Sequence, residues 1–251
     1  MLDLHSPFAV TAGPRADYKM TVALKRLRHA LITCELLPGH SYSEAELADR
    51  FGLTRAAVRV ALATLAAEHW LSPQHRLGWE VTAVTGVLVG DVLRARGLLE
   101  PALAHVALHD SKYDALLGLA GIAPVLAKHD DRALLATLYD SERKVMETLA
   151  HTLGGMAARW LIEAWDQSTR IAYFFGLAGR YYRPPERESL LQALRRRDAA
   201  TASAQIEAGL LQFEEYVTAC LLTAPSPVAH VPVAPVPRRR GAARRPGKQA
   251  L

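Results

Sequence analysis

Between Ser41 and Val81 the chain reads S-Y-S-E-A-E-L-A-D-R-F-G-L-T-R-A-A-V-R-V-A-L-A-T-L and then, from Trp70, W-L-S-P-Q-H-R-L-G-W-E-V. Few folds accommodate that order. Two short helical patterns flank a turn that holds Gly52, and a strand-turn-strand pattern follows, which is the sequence of elements in a winged helix-turn-helix. Gly52 stands just past Phe51, where a helix end needs a residue at ease with positive φ. Thr54 offers a side-chain oxygen to the free N–H groups of the next helix, whose start also favours a phosphate. Arg55 and Arg59 are four apart and share one side of the first turns of that helix, where major-groove contacts arise. Their guanidinium groups can grip guanine or phosphate in a fork. Val58, Leu62 and Leu65 supply the seam that packs the helix on its neighbours. The plainer reading of the same residues is a pair of packed helices with surface arginines.

The surrounding residues decide between them. L-L-P-G-H-S-Y-S-E-A-E-L-A from Leu36, followed by F-G-L-T-R-A-A-V-R-V-A-L and H-W-L, resembles the GntR family of bacterial transcription regulators. Pro38, Gly39, Glu44, Leu47, Ala48, Gly52, Arg55, Val58, Arg59, Ala61 and Leu62 match its pattern. Tyr42, Thr54, Ala57 and Val60 depart from it without removing a DNA-contacting group. The resemblance implies double-stranded operator DNA as partner, with Thr54, Arg55 and Arg59 at the recognition helix. His75 and Arg76 fall at the wing tip, where this family often approaches the minor groove; a solvated turn is the other reading.

Composition locates the charge. The chain has 251 residues and a formal net charge of +5, but the excess sits in residues 224–251, which hold six Lys/Arg and no acid. The high isoelectric point is therefore weak evidence about the folded body. The prolines and arginines of 224–251 predict a disordered basic tail, either adding salt-sensitive phosphate attraction or only solubilising the chain. Residues 1–17 predict a flexible leader. Cys34 and Cys220 have no C-x-x-C partner, which suits a reducing compartment. No apolar run reaches the roughly 20 residues that span a bilayer, and no signal-peptide layout opens the chain, so a cytoplasmic protein is expected.

The periodicity organises the rest. Met20, Leu24, Leu27 and Leu31 predict an amphipathic first helix with Lys25, Arg26 and Arg28 on the other face, either touching DNA backbone or solvated. Residues 18–83 are expected to form the winged domain, with a boundary near 82–86. Past it the pattern is helical: Leu88, Val92, Ala95, Leu99, Leu103 and Val106 form one stripe, and further helices are expected over 112–128, 130–149, 155–175, 187–197 and 198–222. The fold class is thus mainly α, a winged helix-turn-helix followed by an all-α bundle over 86–223. R-G-L-L-E-P-A-L-A-H-V-A from Arg96 and L-L-Q-A-L-R-R-R-D-A-A-T-A from Leu190 are similar to signatures of the effector domain in the FadR branch of the GntR family.

That resemblance implies an effector-binding, dimerising domain, and in such domains a metal is commonly held by an Asp, a His four residues later and two further His. Here the positions fall on Asp140, Lys144, Arg187 and Gly209. Lysine, arginine and glycine offer no neutral nitrogen ligand, so neither a metal nor any other cofactor is expected. His105 and His109 have i, i+4 spacing, but on a continuous helix His105 would face away from Arg96. With no nucleophile elbow, phosphate loop or catalytic carboxylate pair, an enzyme is not expected. If Arg96, Lys144 and Arg187 gather around Asp140, three cations face one carboxylate, and the site suits a small organic acid. A local Asp140–Lys144 salt bridge is the simpler alternative. The expected protein is a homodimeric regulator on a palindromic operator, modulated by such a carboxylate. Its alternatives are an acyl-thioester sensor and a ligand-independent DNA-binding protein whose second domain only dimerises.

Overall fold

The computed structural model describes residues 14–223. The tail at 224–251 and the first thirteen residues of the expected leader lie outside the described residues. Helix α1, Pro14–Ile32, begins four residues before the expected start at Tyr18. Its core face is Ala23, Leu27, Ala30 and Leu31, all fully buried, with Leu24 only packed against their edge.

Strand β1 (Ser41–Tyr42), α2 (Glu44–Phe51), α3 (Arg55–Ala67), β2 (Leu71–Gln74) and β3 (Gly78–Val81) follow. The local chemistry stops and starts these elements where the sequence says it should. Ser43 caps α2 by accepting from the Glu46 N–H at 3.1 Å, and Gly52 ends the helix in the left-handed region at φ 63°. Thr54 caps α3 by accepting from the Ala57 N–H at 3.3 Å. Val58, Leu62 and Leu65 are fully buried against α1 and Trp70.

The sheet is antiparallel in the order β1-β3-β2, with Tyr42 opposite Trp79 and Pro73 opposite Trp79 on the other side. Pattern reading anticipated the hairpin but not β1, a two-residue strand too short to show alternation. Pro73 is tolerated inside β2 because that strand lies at the sheet edge. Gly78 has φ 92°, and a Cβ there would lie 2.4 Å from the Tyr42 carbonyl oxygen, so β1 and β3 approach as only glycine allows.

The C-terminal half comprises α4 (Gly86–Leu99), a 3-10 segment Glu100–His105, α5 (Asp110–Ala120), α6 (Ala123–Leu126), α7 (Arg132–Ala150), α8 (Gly155–Gly176), α9 (Glu188–Arg195) and α10 (Ala199–Leu222). The single helix expected from Leu88 to Val106 is broken: Pro101 follows Glu100 and the chain tightens into the 3-10 segment. His105 ends that segment and His109 caps α5. The two are exposed and share no helix, so their i, i+4 spacing has no structural meaning. Asp198 caps α10 from the Thr201 N–H at 3.1 Å. Leu103, Leu149, Leu161, Leu191 and Ile206 lie in one core cluster of this half, while Val92, Ile171, Phe213 and Val217 lie in another.

The halves meet along α1 and α8. Arg170 of α8 is 0% exposed; it donates to the Thr82 carbonyl and lies 5.6 Å from the centroid of the Trp70 ring. Cys34 donates through Sγ to the Arg170 carbonyl at 3.6 Å. Among the described residues no helix is long and apolar enough to cross a membrane.

Candidate nucleic-acid interface and C-terminal cavity

Arg55 and Arg59 emerge from the first turns of α3, where capping and the buried Val58 seam fix the helix. Arg55 is exposed. Arg59 is 70% exposed, and Glu44, the first residue of α2, holds it from the side. Arg59 Nε donates to Glu44 Oε1 and Oε2 at 3.2 and 3.0 Å, and Nη2 donates to Oε2 at 2.9 Å. The Arg59 guanidinium is the main reason the Glu44 carboxyl titrates below its ordinary range, with Trp79 of β3 and Arg55 adding to the effect. Sequence reasoning gave Glu44 no role. The signal available was its place at the start of α2, because the N-terminal ends of α2 and α3 come together in this motif.

His75 and Arg76 occupy the turn between β2 and β3 and are both exposed. Arg76 adopts φ 64°, a conformation disfavoured for a residue with a Cβ, which closes the turn. Thr54 and Arg55, at the start of α3, and the wing tip are thus all exposed for contact.

The second group of expected residues divides. Arg96 and Arg187 come together in a cavity of about 50 Å³, which Tyr139, Glu142, Arg143, Trp165, Ser168, Tyr182 and Phe213 also line. Asp140 and Lys144 are not among its walls: both are exposed and they do not pair. The register of α7 explains the difference. Its buried stripe runs through Leu135, Leu138, Tyr139, Val145, Met146 and Leu149, so Tyr139 and Arg143 occupy the inward positions that the resemblance gave to Asp140 and Lys144. Gly209 does lie beside Arg187; a Cβ at that position would stand 3.1 Å from Arg187 Nη1.

The expected surplus of positive charge is also corrected, because each cavity arginine has a carboxylate. Arg96 donates through Nε to Glu100 at 2.5 Å, and Glu100 also accepts from the Trp165 indole. Arg143 donates to Asp166 at 2.7 and 3.2 Å, and Arg187 to Glu142 Oε1 at 2.8 and 2.6 Å. Burial disfavours the charge of Arg187, but Glu142, with Glu100 and Tyr182 adding to it, offsets this and the pKa rises. Burial pushes the Asp166 carboxyl up even though Arg143 opposes it. The Arg96 guanidinium also stacks 4.7 Å from the Phe213 ring centroid. Glu100, Glu142 and Asp166, none of them given a role by sequence reasoning, thus supply the compensation.

At about 50 Å³ the cavity has room for a few water molecules. Tyr139, Arg143 and Thr169 separate it from an open cleft of about 450 Å³, whose far wall is Lys25, Arg28 and His29 of α1. Among the described residues no group of three His, Cys, Asp or Glu side chains comes together to hold a metal.

A capped, exposed, arginine-bearing second helix beside a three-stranded wing defines a winged helix-turn-helix DNA-binding domain. Residues 21–81 match the bacterial regulatory proteins of the gntR family. Residues 21–81 therefore carry a DNA-binding domain of the GntR type. The fold extends the likeness over both halves. E. coli McbR/YncC is 19% identical and superposes with a TM-score of 0.66 over 81% of this chain and 97% of its own. A GntR protein of Rhodococcus sp. RHA1 is 18% identical, with a TM-score of 0.56 over 82% of this chain and 99% of its own. No sequence among the curated proteins matches.

Proposed function

We propose that this chain controls transcription as a homodimer on a two-fold operator, with residues 18–83 reading DNA and residues 86–223 dimerising and sensing a small molecule. The observation that carries this reading is the start of α3, where Arg55 is exposed and Arg59 is 70% exposed beside the wing. Two such helices on a two-fold axis read half-sites about one helical turn apart. Thr54, His75 and Arg76 serve as backbone and groove contacts around them. The FadR-branch assignment is supported by the roles its motif residues take. Arg96 and Glu100 form a buried i, i+4 ion pair, and Asp198 caps α10.

In this reading the effector is a small carboxylate that replaces Glu142 on Arg187 and opens the wall formed by Tyr139 and Arg143 toward the cleft against α1. An effector acts only through unequal affinity for the DNA-competent and incompetent states. The closed, charge-matched cavity favours a second reading, in which the C-terminal half dimerises without a ligand. Selection of bound genomic fragments by the full chain, with sedimentation to count protomers, tests the DNA reading. Arg55→Ala and Arg59→Ala should each cost about 1–3 kcal/mol of specific affinity with circular dichroism unchanged. Unaltered operator binding by both variants would refute the placement of the interface. A panel of carboxylates should contain one whose binding Arg187→Ala abolishes; a panel that leaves operator binding untouched favours the ligand-independent reading.

A further inference from the structure

A guanidinium group presents two edges with paired donors, one formed by Nε and Nη2 and the other by Nη1 and Nη2. In this protein Glu44 occupies the first edge of Arg59 with three contacts between 2.9 and 3.2 Å. Among the described residues nothing occupies the second edge, and it matches the O6 and N7 acceptors of guanine in the major groove. Arg59 is the more exposed member of the pair, its side chain 70% exposed against 25% for Glu44, which leaves most of the guanidinium open to solvent. Glu44 is itself anchored as the first residue of α2, immediately after the Ser43 cap, and Trp79 of β3 lies close enough to help hold its charge. The clamp therefore ties the recognition helix to the start of α2.

Resting on the DNA-binding reading, we infer that Glu44 is a specificity-determining residue that acts through Arg59. It holds the guanidinium so that its end fork reads one guanine in each half-site, and its negative charge keeps that guanidinium off the phosphate backbone. Without the clamp, an arginine with so much rotational freedom is drawn to the nearest phosphate, and phosphate carries no sequence information. Glu44 does not need to touch DNA for this. Among the described residues Arg55 has no such carboxylate clamp, so the two recognition-helix arginines differ in kind: Arg55 can seek phosphate, whereas Arg59 is set toward a base.

The test compares wild type, Glu44→Gln and Arg59→Lys as full chains in selection from a randomised DNA pool, followed by titration of the selected site against salt. Arg59→Lys keeps the charge but loses the planar fork, and should lower the preference for guanine at one position of each half-site about tenfold. Glu44→Gln keeps the shape of the side chain and should relax preference at that same position. It should also strengthen binding to unrelated DNA and steepen the salt dependence by about one phosphate contact. A clamp that served only to brace α2 against α3 would lower the melting temperature without changing the base profile. Glu44→Gln that selects the same base profile as wild type, while Arg59→Lys relaxes it, overturns the role of Glu44 and leaves the DNA-binding reading standing. A wild-type chain that enriches no sequence overturns both.

Discussion

Arg170 and Arg187 are buried under opposite conditions, and replacing each with methionine should separate the effect of burial from that of a missing counterion. Arg187 is matched by Glu142 at 2.6 Å. Arg170 is 0% exposed; among the described residues it meets the Thr82 carbonyl, the Gln167 side-chain oxygen and the Trp70 ring, and no described residue pairs with its Nε. Burial brings its pKa from 12.5 down to about 10. That fall corresponds to about 3 kcal/mol against the charged form in the folded state. Because the unfolded chain holds the proton more tightly, the penalty is complete below the folded pKa and is relieved only as pH rises from there toward the unfolded value. Methionine removes this penalty. It also leaves the half-buried Thr82 carbonyl without its donor, at about 1–3 kcal/mol, and loses the stacking on Trp70, about 1–2 kcal/mol. The contributions nearly cancel, so Arg170→Met should change stability by less than about 2 kcal/mol. Arg187→Met strands Glu142 and should cost about 3 kcal/mol, the lower end for a broken buried pair because Glu142 retains some contact with solvent. Urea denaturation at neutral pH, followed by tryptophan fluorescence, measures both. An Arg170→Met variant less stable than Arg187→Met would refute the reasoning.

Three further outcomes are expected. Gly78→Ala should destabilise the wing by at least about 1–3 kcal/mol, from positive φ alone, and more from the clash with the Tyr42 carbonyl; a melting temperature equal to wild type would contradict the close approach of β1 and β3. Burial and the neighbouring Glu68 raise the Glu163 pKa, with Arg28 and His69 opposing. The ionised form therefore detracts from stability at neutral pH, and the loss is recovered as pH falls through the folded pKa. Glu163→Gln should stabilise the protein at neutral pH and lose that advantage in acid, as thermal melts over a pH series would show. Burial pushes the Cys34 thiol up to about 12 and raises that of Cys220, so iodoacetamide should alkylate neither until denaturant is added, as mass spectrometry would show.

The recognition region was legible because its information is local. Gly52 and Thr54 act on backbone groups within four residues of themselves, and Val58, Leu62 and Leu65 lie on one face by helical period alone, so position in the chain determines their roles. The hairpin was legible for the same reason, and most helices after residue 86 were legible to within a few residues at their ends, but the single helix expected over 112–128 divides into α5 and α6 at Gly121 and Ile122. The exceptions were structural choices that periodicity does not encode. A two-residue β1 has no pattern to read, and the helix from Leu88 breaks at Pro101, because the tightened 3-10 turn delivers Leu103 and Val106 to the core as well as a continuous stripe would.

What only the tertiary structure decided is which charges meet. A helix places Asp140 and Lys144 on one face, but which face turns inward depends on how Leu138, Tyr139, Val145 and Met146 pack against neighbouring helices. A shift of one residue turns a side chain by 100° and exchanges Asp140 and Lys144 for Tyr139 and Arg143. Two of the three cavity arginines find partners at separations a linear motif cannot express: Arg187 meets Glu142 45 positions away and Arg143 meets Asp166 23 positions away. Arg59 likewise meets Glu44 only because the turn at Gly52 folds α2 beside α3. Sequence determined that this chain would carry a winged helix and a helical partner, since both rest on periodicity and capping. The fold determined whether each buried cation would be free to receive an anion or already neutralised, since ion pairing acts over a few ångströms in space and is indifferent to distance along the chain.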